Sequence, residues 1–111
     1  MKIETQDFNN TSVMTIKGDM EGEFAGSLNG IVEKTVAAGK AGMVLDMREC
    51  GFIDSSGLEM LLKIKQYSYE HNCQIRLACM DGNLRKILEV TRLDSEFESF
   101  DELADAVNSF A

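Results

Sequence analysis

The chain has 111 residues, a length that suits one domain spanning 1–111, and 44% of them are apolar, enough for a modest core without metals or disulfides. A net charge of -8 argues against a basic nucleic-acid-binding face and against attraction to anionic membrane surfaces, and it favours encounter with a basic protein partner. No run approaches the ~18 apolar residues of a membrane span, and Met1-Lys2-Ile3-Glu4 lacks signal-peptide form, so a soluble cytoplasmic protein is expected.

Residues 2–18 read as two strands joined at Asn9-Asn10-Thr11, with Ile3, Thr5, Phe8, Val13, Met14 and Ile16 at β-favouring positions; an antiparallel hairpin is expected. Glu23 to Ala38 reads as a helix, with Phe24, Leu28, Ile31, Val32 and Thr35 on one face. Gly22, Gly26 and Gly30 recur on roughly the opposite side. They either weaken the first half of a surface helix or open a groove for another backbone. Gly39 and Gly42 bracket the exit. Gly42 to Arg48 is a short apolar run suited to a central strand buried on both faces, in which Asp46 needs a hydrogen-bonding partner.

A helix is expected from about Gly57 to His71, with Leu58, Leu61, Leu62 and Tyr69 on its core face and Glu59, Lys63, Gln66 and Glu70 in a polar stripe. Met60, Ile64 and Tyr67 form a third group. It either widens the core contact or marks an exposed partner surface. Cys73 to Cys79 reads as a strand interrupted by Arg76. Asp81 or Asn83 can cap a helix over Gly82 to Val90, Phe97 to Phe100 reads as a weak last strand, and Asp101 can cap a final helix through Leu103, Ala106, Val107 and Phe110. The order β-β-α-β-α-β-α-β-α implies an α/β fold, with a partly parallel mixed sheet of about five strands, about four helices and right-handed crossovers after the N-terminal hairpin. Cys50, Cys73 and Cys79 are odd in number and form no CxxC, so they read as reduced, buried thiols. No metal or other cofactor is expected, since His71 beside Cys73 does not make a zinc pattern.

The stretch Cys50-Gly51-Phe52-Ile53-Asp54-Ser55-Ser56-Gly57-Leu58-Glu59 joins the central strand to its helix. Ser56 and Glu59 match a capping box, which would turn the Ser56 hydroxyl toward the helix amides and leave Ser55 free to face solvent. Asp54 could be the cap instead, which would place both serines in the first turn. A catalytic serine would need a base within reach. His71, the single histidine, lies about 22 Å away along the helix, and the G-x-S-x-G elbow is missing. A P-loop is absent as well, although a helix N-terminus can bind anions. The remaining chemistry is phosphorylation of an exposed serine, which adds about -1.5 to -2 charge where a helix N-terminus tolerates it.

Phe52-Ile53-Asp54-Ser55-Ser56-Gly57-Leu58 resembles the signature of the STAS domain, the sulfate transporter and anti-sigma factor antagonist domain. Val13 to Asp19, Met43 to Met47 and Leu84 to Leu93 are similar to the family's second strand, central strand and third helix, so the resemblance runs through the whole chain. It implies an anti-sigma factor antagonist, not an enzyme, that binds an anti-sigma serine kinase, is switched off by phosphorylation at Ser55 and is restored by a phosphoserine phosphatase. The expected partner surface is Asp54, Ser55, Ser56, Gly57, Met60 and Ile64. The alternative is a STAS module of another complex, a transport ATPase assembly or a signalling scaffold, with Ser55 unmodified. The chain departs from the family's usual pattern at Glu59, where antagonists usually carry glycine, at Gly18-Asp19-Met20-Glu21, which is only partly similar to a Gly-Glu-Leu-Asp-like turn, and at Arg92-Leu93, where Gly-Leu is common.

Overall fold

The sheet of the computed structural model, which describes residues 2–110 apart from the side chains of Phe24 and Ala25, takes its five strands in chain order. β1 (Lys2–Phe8) and β2 (Thr11–Lys17) form the antiparallel hairpin. Its two-residue turn rests on Asn9 at φ 54°, a left-handed conformation that asparagine tolerates. Next along the chain come α1 (Phe24–Ala37), β3 (Gly42–Glu49), α2 (Ser55–Glu70), β4 (Gln74–Ala78), α3 (Gly82–Val90), β5 (Glu98–Phe100) and α4 (Leu103–Asn108), with a 3-10 turn at Asp94–Glu96 that the sequence pattern did not announce. β2, β3, β4 and β5 pair in parallel.

Parallel strands taken in sequence order with crossovers of one hand put every crossover helix on the same side of the sheet, and the core is built that way. Met14, Ile16, Met43, Leu45, Met47 and Leu77 point to one side, where they pack with Leu28 and Val32 of α1, Leu61 and Ile64 of α2, and Leu84 and Leu88 of α3. Val13, Val44 and Ala78 point to the other side and meet Ala106 of α4. β3 is therefore buried on both faces, as its apolar run suggests. Asp46, buried within it, accepts a hydrogen bond from the backbone N–H of Arg48 at 3.1 Å. The irregular Arg76 is stabilised on the α4 side, where Nε donates to Glu98 at 2.8 Å and the guanidinium lies 3.9 Å from the centre of the Phe110 ring.

Two sequence expectations change, and one pair of alternatives is decided. The buried stripe of α2 is Gly57, Leu61, Ile64 and Ser68, at spacings of four, three and four. Leu62 is 37% exposed and Tyr69 78% exposed, so the core face is turned toward the group of Met60, Ile64 and Tyr67. Gly26 and Gly30 are exposed, and nothing among the described residues would meet a Cβ at either, so no described backbone uses them as a groove and the surface-helix reading stands. The N-cap of α4 is Glu102, without a side-chain capping bond, because Asp101 is engaged by Arg85 of α3. The expectation placed on the Phe24 side chain lies outside the described residues.

Candidate functional site: the serine turn at the start of α2

Past its paired length, β2 continues alongside the exit of β3. Gly18 N–H donates to the Glu49 carbonyl at 3.0 Å, Met20 N–H to the Phe52 carbonyl at 2.9 Å, and Asp54 N–H to the Met20 carbonyl at 3.2 Å. Met20 and Ile53 thus form an extra parallel bridge, and both side chains are buried. The strand-to-helix turn is consequently held by a second chain segment and not only by its own helix.

That crossing explains two positions of the motif. Asp54 is the N-cap of α2: its extended backbone turns the chain, and Oδ1 accepts from Gly57 N–H at 2.9 Å. The other carboxylate oxygen, Oδ2, accepts from Gly22 N–H at 3.1 Å, on the loop that leads into α1. Gly57 is buried directly over the crossing. A Cβ there would collide with the Met20 carbonyl oxygen and stand 2.7 Å from Cγ2 of Ile53. The capping box at Ser56 and Glu59 therefore does not form, and the division of labour inferred for the serines is corrected. Aspartate holds the helix start, glycine lets the backbone pass, and both serines occupy the first turn with their side chains exposed.

The surroundings are acidic. Asp19, Glu21, Glu23, Glu59 and Asp81 form no ion pair among the described residues, unlike Glu4, Glu49, Glu96 and Glu98. Burial pushes the Cys50 thiol up at the base of the turn, and the nearby Asp19 and Asp81 carboxylates push the same way. Phe52, one residue from the bridge, is 42% exposed, an apolar side chain in an acidic rim. A shallow depression of about 240 Å³ lies between the starts of α1 and α2, lined by Gly22, Gly26, Ser56, Glu59, Met60 and Lys63 among others.

Of the expected partner-surface residues, Asp54, Ser55, Ser56 and Gly57 come together at the turn and Met60 borders the depression. Ile64 does not: it is fully buried beneath α2 and has no surface to offer a partner. Its spacing from Met60 suited either a patch or the core stripe, and the i, i+4, i+7 run from Gly57 belongs to the core. Sequence reasoning placed Gly22 in a glycine run along α1 and did not connect it with Asp54, which engages its amide, or with the turn whose φ of 58° requires glycine; it gave the exposed Phe52 no role of its own. The signals were present, a glycine following the Gly-acidic turn and an aromatic at a loop. His71 caps the far end of α2, a helix length from the serines, and its Nδ1 lies 2.7 Å from the Tyr67 carbonyl. Among the described residues no group of three His, Cys, Asp or Glu side chains could hold a metal, and no helix is long and apolar enough to cross a membrane. Cys73 is buried like Cys50, but Cys79 is only half-buried and lies 3.4 Å from the Arg48 guanidinium.

A family model for the STAS domain matches residues 2–106. The chain belongs to the STAS domain family. A STAS-domain containing protein of Pseudomonas aeruginosa is 36% identical over 55 residues, which are 50% of this chain, so the chain spans about half (54%) of the length of that relative. An anti-sigma factor antagonist from Mycobacterium paratuberculosis superposes with a TM-score of 0.85 at 21% identity, over 97% of this chain and 92% of that one. A sulfate transporter family protein from Wolinella succinogenes gives 0.82 at 17% identity, over 90% and 84%. The Bacillus cell fate determinant SpoIIAA in its phosphorylated form gives 0.74 at 14% identity, over 99% and 100%. At these identities the superpositions establish a shared STAS fold.

Proposed function

We propose that this STAS domain is an anti-sigma factor antagonist, a switch and a kinase substrate rather than an enzyme. In its unphosphorylated form it binds an anti-sigma serine kinase in the cytoplasm. ATP-dependent phosphorylation of Ser55 ends that complex, and a phosphoserine phosphatase restores it. The observation that carries this reading is the exposed Ser55 directly after the capping aspartate, at the position the family motif gives the modified serine. Both serines are exposed and neither is the cap, so capping does not choose between them; the motif correspondence points to Ser55. A phosphate at the first helical position is compatible with the fold, because the helix N-terminus favours negative charge. A partner docked on the turn would meet a hydrated dianion. The unpaired carboxylates around the turn suit a kinase with a basic docking face, and Phe52 and Met60 supply apolar contact.

The test is incubation with ATP and each candidate serine kinase from the protein's own genome. One kinase is expected to add a single phosphate that Ser55→Ala abolishes, and Ser55→Asp is expected to fold normally while losing affinity for that kinase. Full biological activity of Ser55→Ala, with no phosphate on the wild type, would remove the switch and leave a STAS interaction module of a transport or signalling assembly.

A further inference from the structure

Asp54 does two things with one carboxylate. Oδ1 closes the first turn of its own helix through Gly57, and Oδ2 reaches across 32 residues of sequence to the Gly22 amide. Beyond the Met20 bridge, the loop it reaches has little else to fix it on the way into α1. The N-cap position of α1 is Glu23, which makes no side-chain capping bond, and the nearby Gly26 amide finds only a local partner, the Glu23 carbonyl at 3.1 Å. Gly22 takes a left-handed backbone at φ 58° with open space around it, so its glycine serves the path of the chain and not a packing contact. Gly22, Glu23 and Gly26 form one wall of the depression, and Ser56, Met60 and Lys63 form the other. The Asp54 carboxylate is the hydrogen-bonding link from the start of α2 to the first of these walls, through the Gly22 amide.

We propose that Asp54 is a positioning residue that fixes the start of α1 against the serine turn, so that the two turns present a single surface to the partner. The partner is a protein with a basic face, because the wall that Asp54 holds in place brings Glu23 to the same depression as Glu59, two carboxylates without an ion pair among the described residues against one lysine, Lys63. The docking role rests on the antagonist reading above. The fixing of the loop does not, and it is measured separately.

The chemistry of asparagine separates the two bonds. Asparagine caps helices about as well as aspartate, but it has one acceptor oxygen where the carboxylate has two, so Asp54→Asn can satisfy Gly57 or Gly22 and not both. Asp54→Ser caps through a hydroxyl too short to reach Gly22. Hydrogen exchange of the Gly22 and Gly57 amides in the free protein, read together by NMR, shows which bond is lost. In both variants Gly57 is expected to stay protected while Gly22 exchanges on the order of tenfold faster, the loss of one charge-assisted bond. Asp81→Asn, which alters the cap of α3, is expected to leave Gly22 unchanged. Unchanged Gly22 exchange in both Asp54 variants would overturn the proposal, and so would an equal acceleration in Asp81→Asn. With the kinase that phosphorylates Ser55, Asp54→Asn is expected to raise KM for this protein severalfold with kcat kept. A released Gly22 with unchanged KM would overturn the single-surface claim. If no kinase acts on the wild type, the antagonist reading fails and the exchange data still decide the loop.

Discussion

α2 and α3 begin almost alike. Each is capped by an aspartate with extended backbone whose side chain accepts from the amide three residues on, Asp54 from Gly57 and Asp81 from Leu84, both at 2.9 Å. The two helices differ in the residue whose amide the cap engages. At α3 it is Leu84, fully buried in the core, and the cap orients a side chain. At α2 it is Gly57, and the place where a side chain would go is filled by the backbone of Met20. The capping aspartate of α2 also holds a second loop. An aspartate cap alone therefore marks a helix start. The combination of that cap with a glycine under a crossing chain marks a turn held by two chain segments, and at α2 that turn carries two exposed serines.

A methyl group added at each helix entrance should give the largest contrast. Gly57→Ala would push against a backbone carbonyl, which cannot move aside as a side chain does, and should destabilise the protein by about 2–3 kcal/mol or more. Gly82→Ala meets nothing within 4 Å and lies at an ordinary φ, so it should be neutral or stabilise by up to about 1 kcal/mol. Urea denaturation of both variants checks the pair. Similar values would mean that the crossing at Met20 is not what requires the glycine.

Removing the two caps should give a smaller contrast of the same kind. Asp81→Ala loses one capping bond and should cost about 1 kcal/mol, while Asp54→Ala loses the cap and the bond to Gly22 and should cost about 2 kcal/mol. Equal losses by the same denaturation assay would show that the Gly22 bond contributes no stability.

The same positions separate what local sequence specifies from what only the assembled sheet decides. The order of strands and helices, the hairpin, the doubly buried β3 and the Asp81 cap come from local periodicity and cap chemistry, which act within a few residues. The site was legible as a motif but not as a mechanism. Ser56 with Glu59 and, alternatively, Asp54 offered valid local caps; Asp54 takes the position, and its second carboxylate oxygen satisfies an amide 32 residues away that no local pattern announces. Gly57 looked like helix-start punctuation, and its reason lies in Met20, brought over it by the sheet. The core face of α2 was misplaced by part of a turn because Leu62 is as apolar as Leu61 and the Tyr69 ring offers a large apolar surface of its own. Only the sheet beneath the helix decides which stripe is buried. Long-range contacts of this kind leave no local periodic signal.

Between the two entrances lies Cys50, which makes the pair sensitive to pH. Burial pushes its thiol up, with Asp19 from one side and Asp81 from the other adding to the shift. A raised folded value favours the protonated form, so this contribution to stability is complete below the ordinary thiol range and is lost as the pH climbs from there through the raised value. Stability measured by denaturation should fall over that alkaline window. Neutralising either flanking carboxylate, in Asp19→Asn or Asp81→Asn, should lower the Cys50 value and flatten the fall, as read by thiol modification rates against pH. Buried Cys73 is pushed up by burial alone and should not respond to either change.

The smallest expected effect is the one that separates signal from scaffold. Ser55 and Ser56 are exposed and neither serves as the cap, so Ser55→Ala and Ser56→Ala should each change stability by less than about 0.5 kcal/mol. Alanine's higher helix propensity would offset part of any lost hydroxyl contact. The two variants should therefore be indistinguishable by denaturation and differ only in the kinase assay, where Ser55→Ala alone loses the phosphate. If Ser55→Ala instead destabilised the protein as much as Asp54→Ala, the hydroxyl would be part of the turn's framework. The antagonist reading would then lose its premise, because a group that holds the fold cannot be modified and restored without unfolding it.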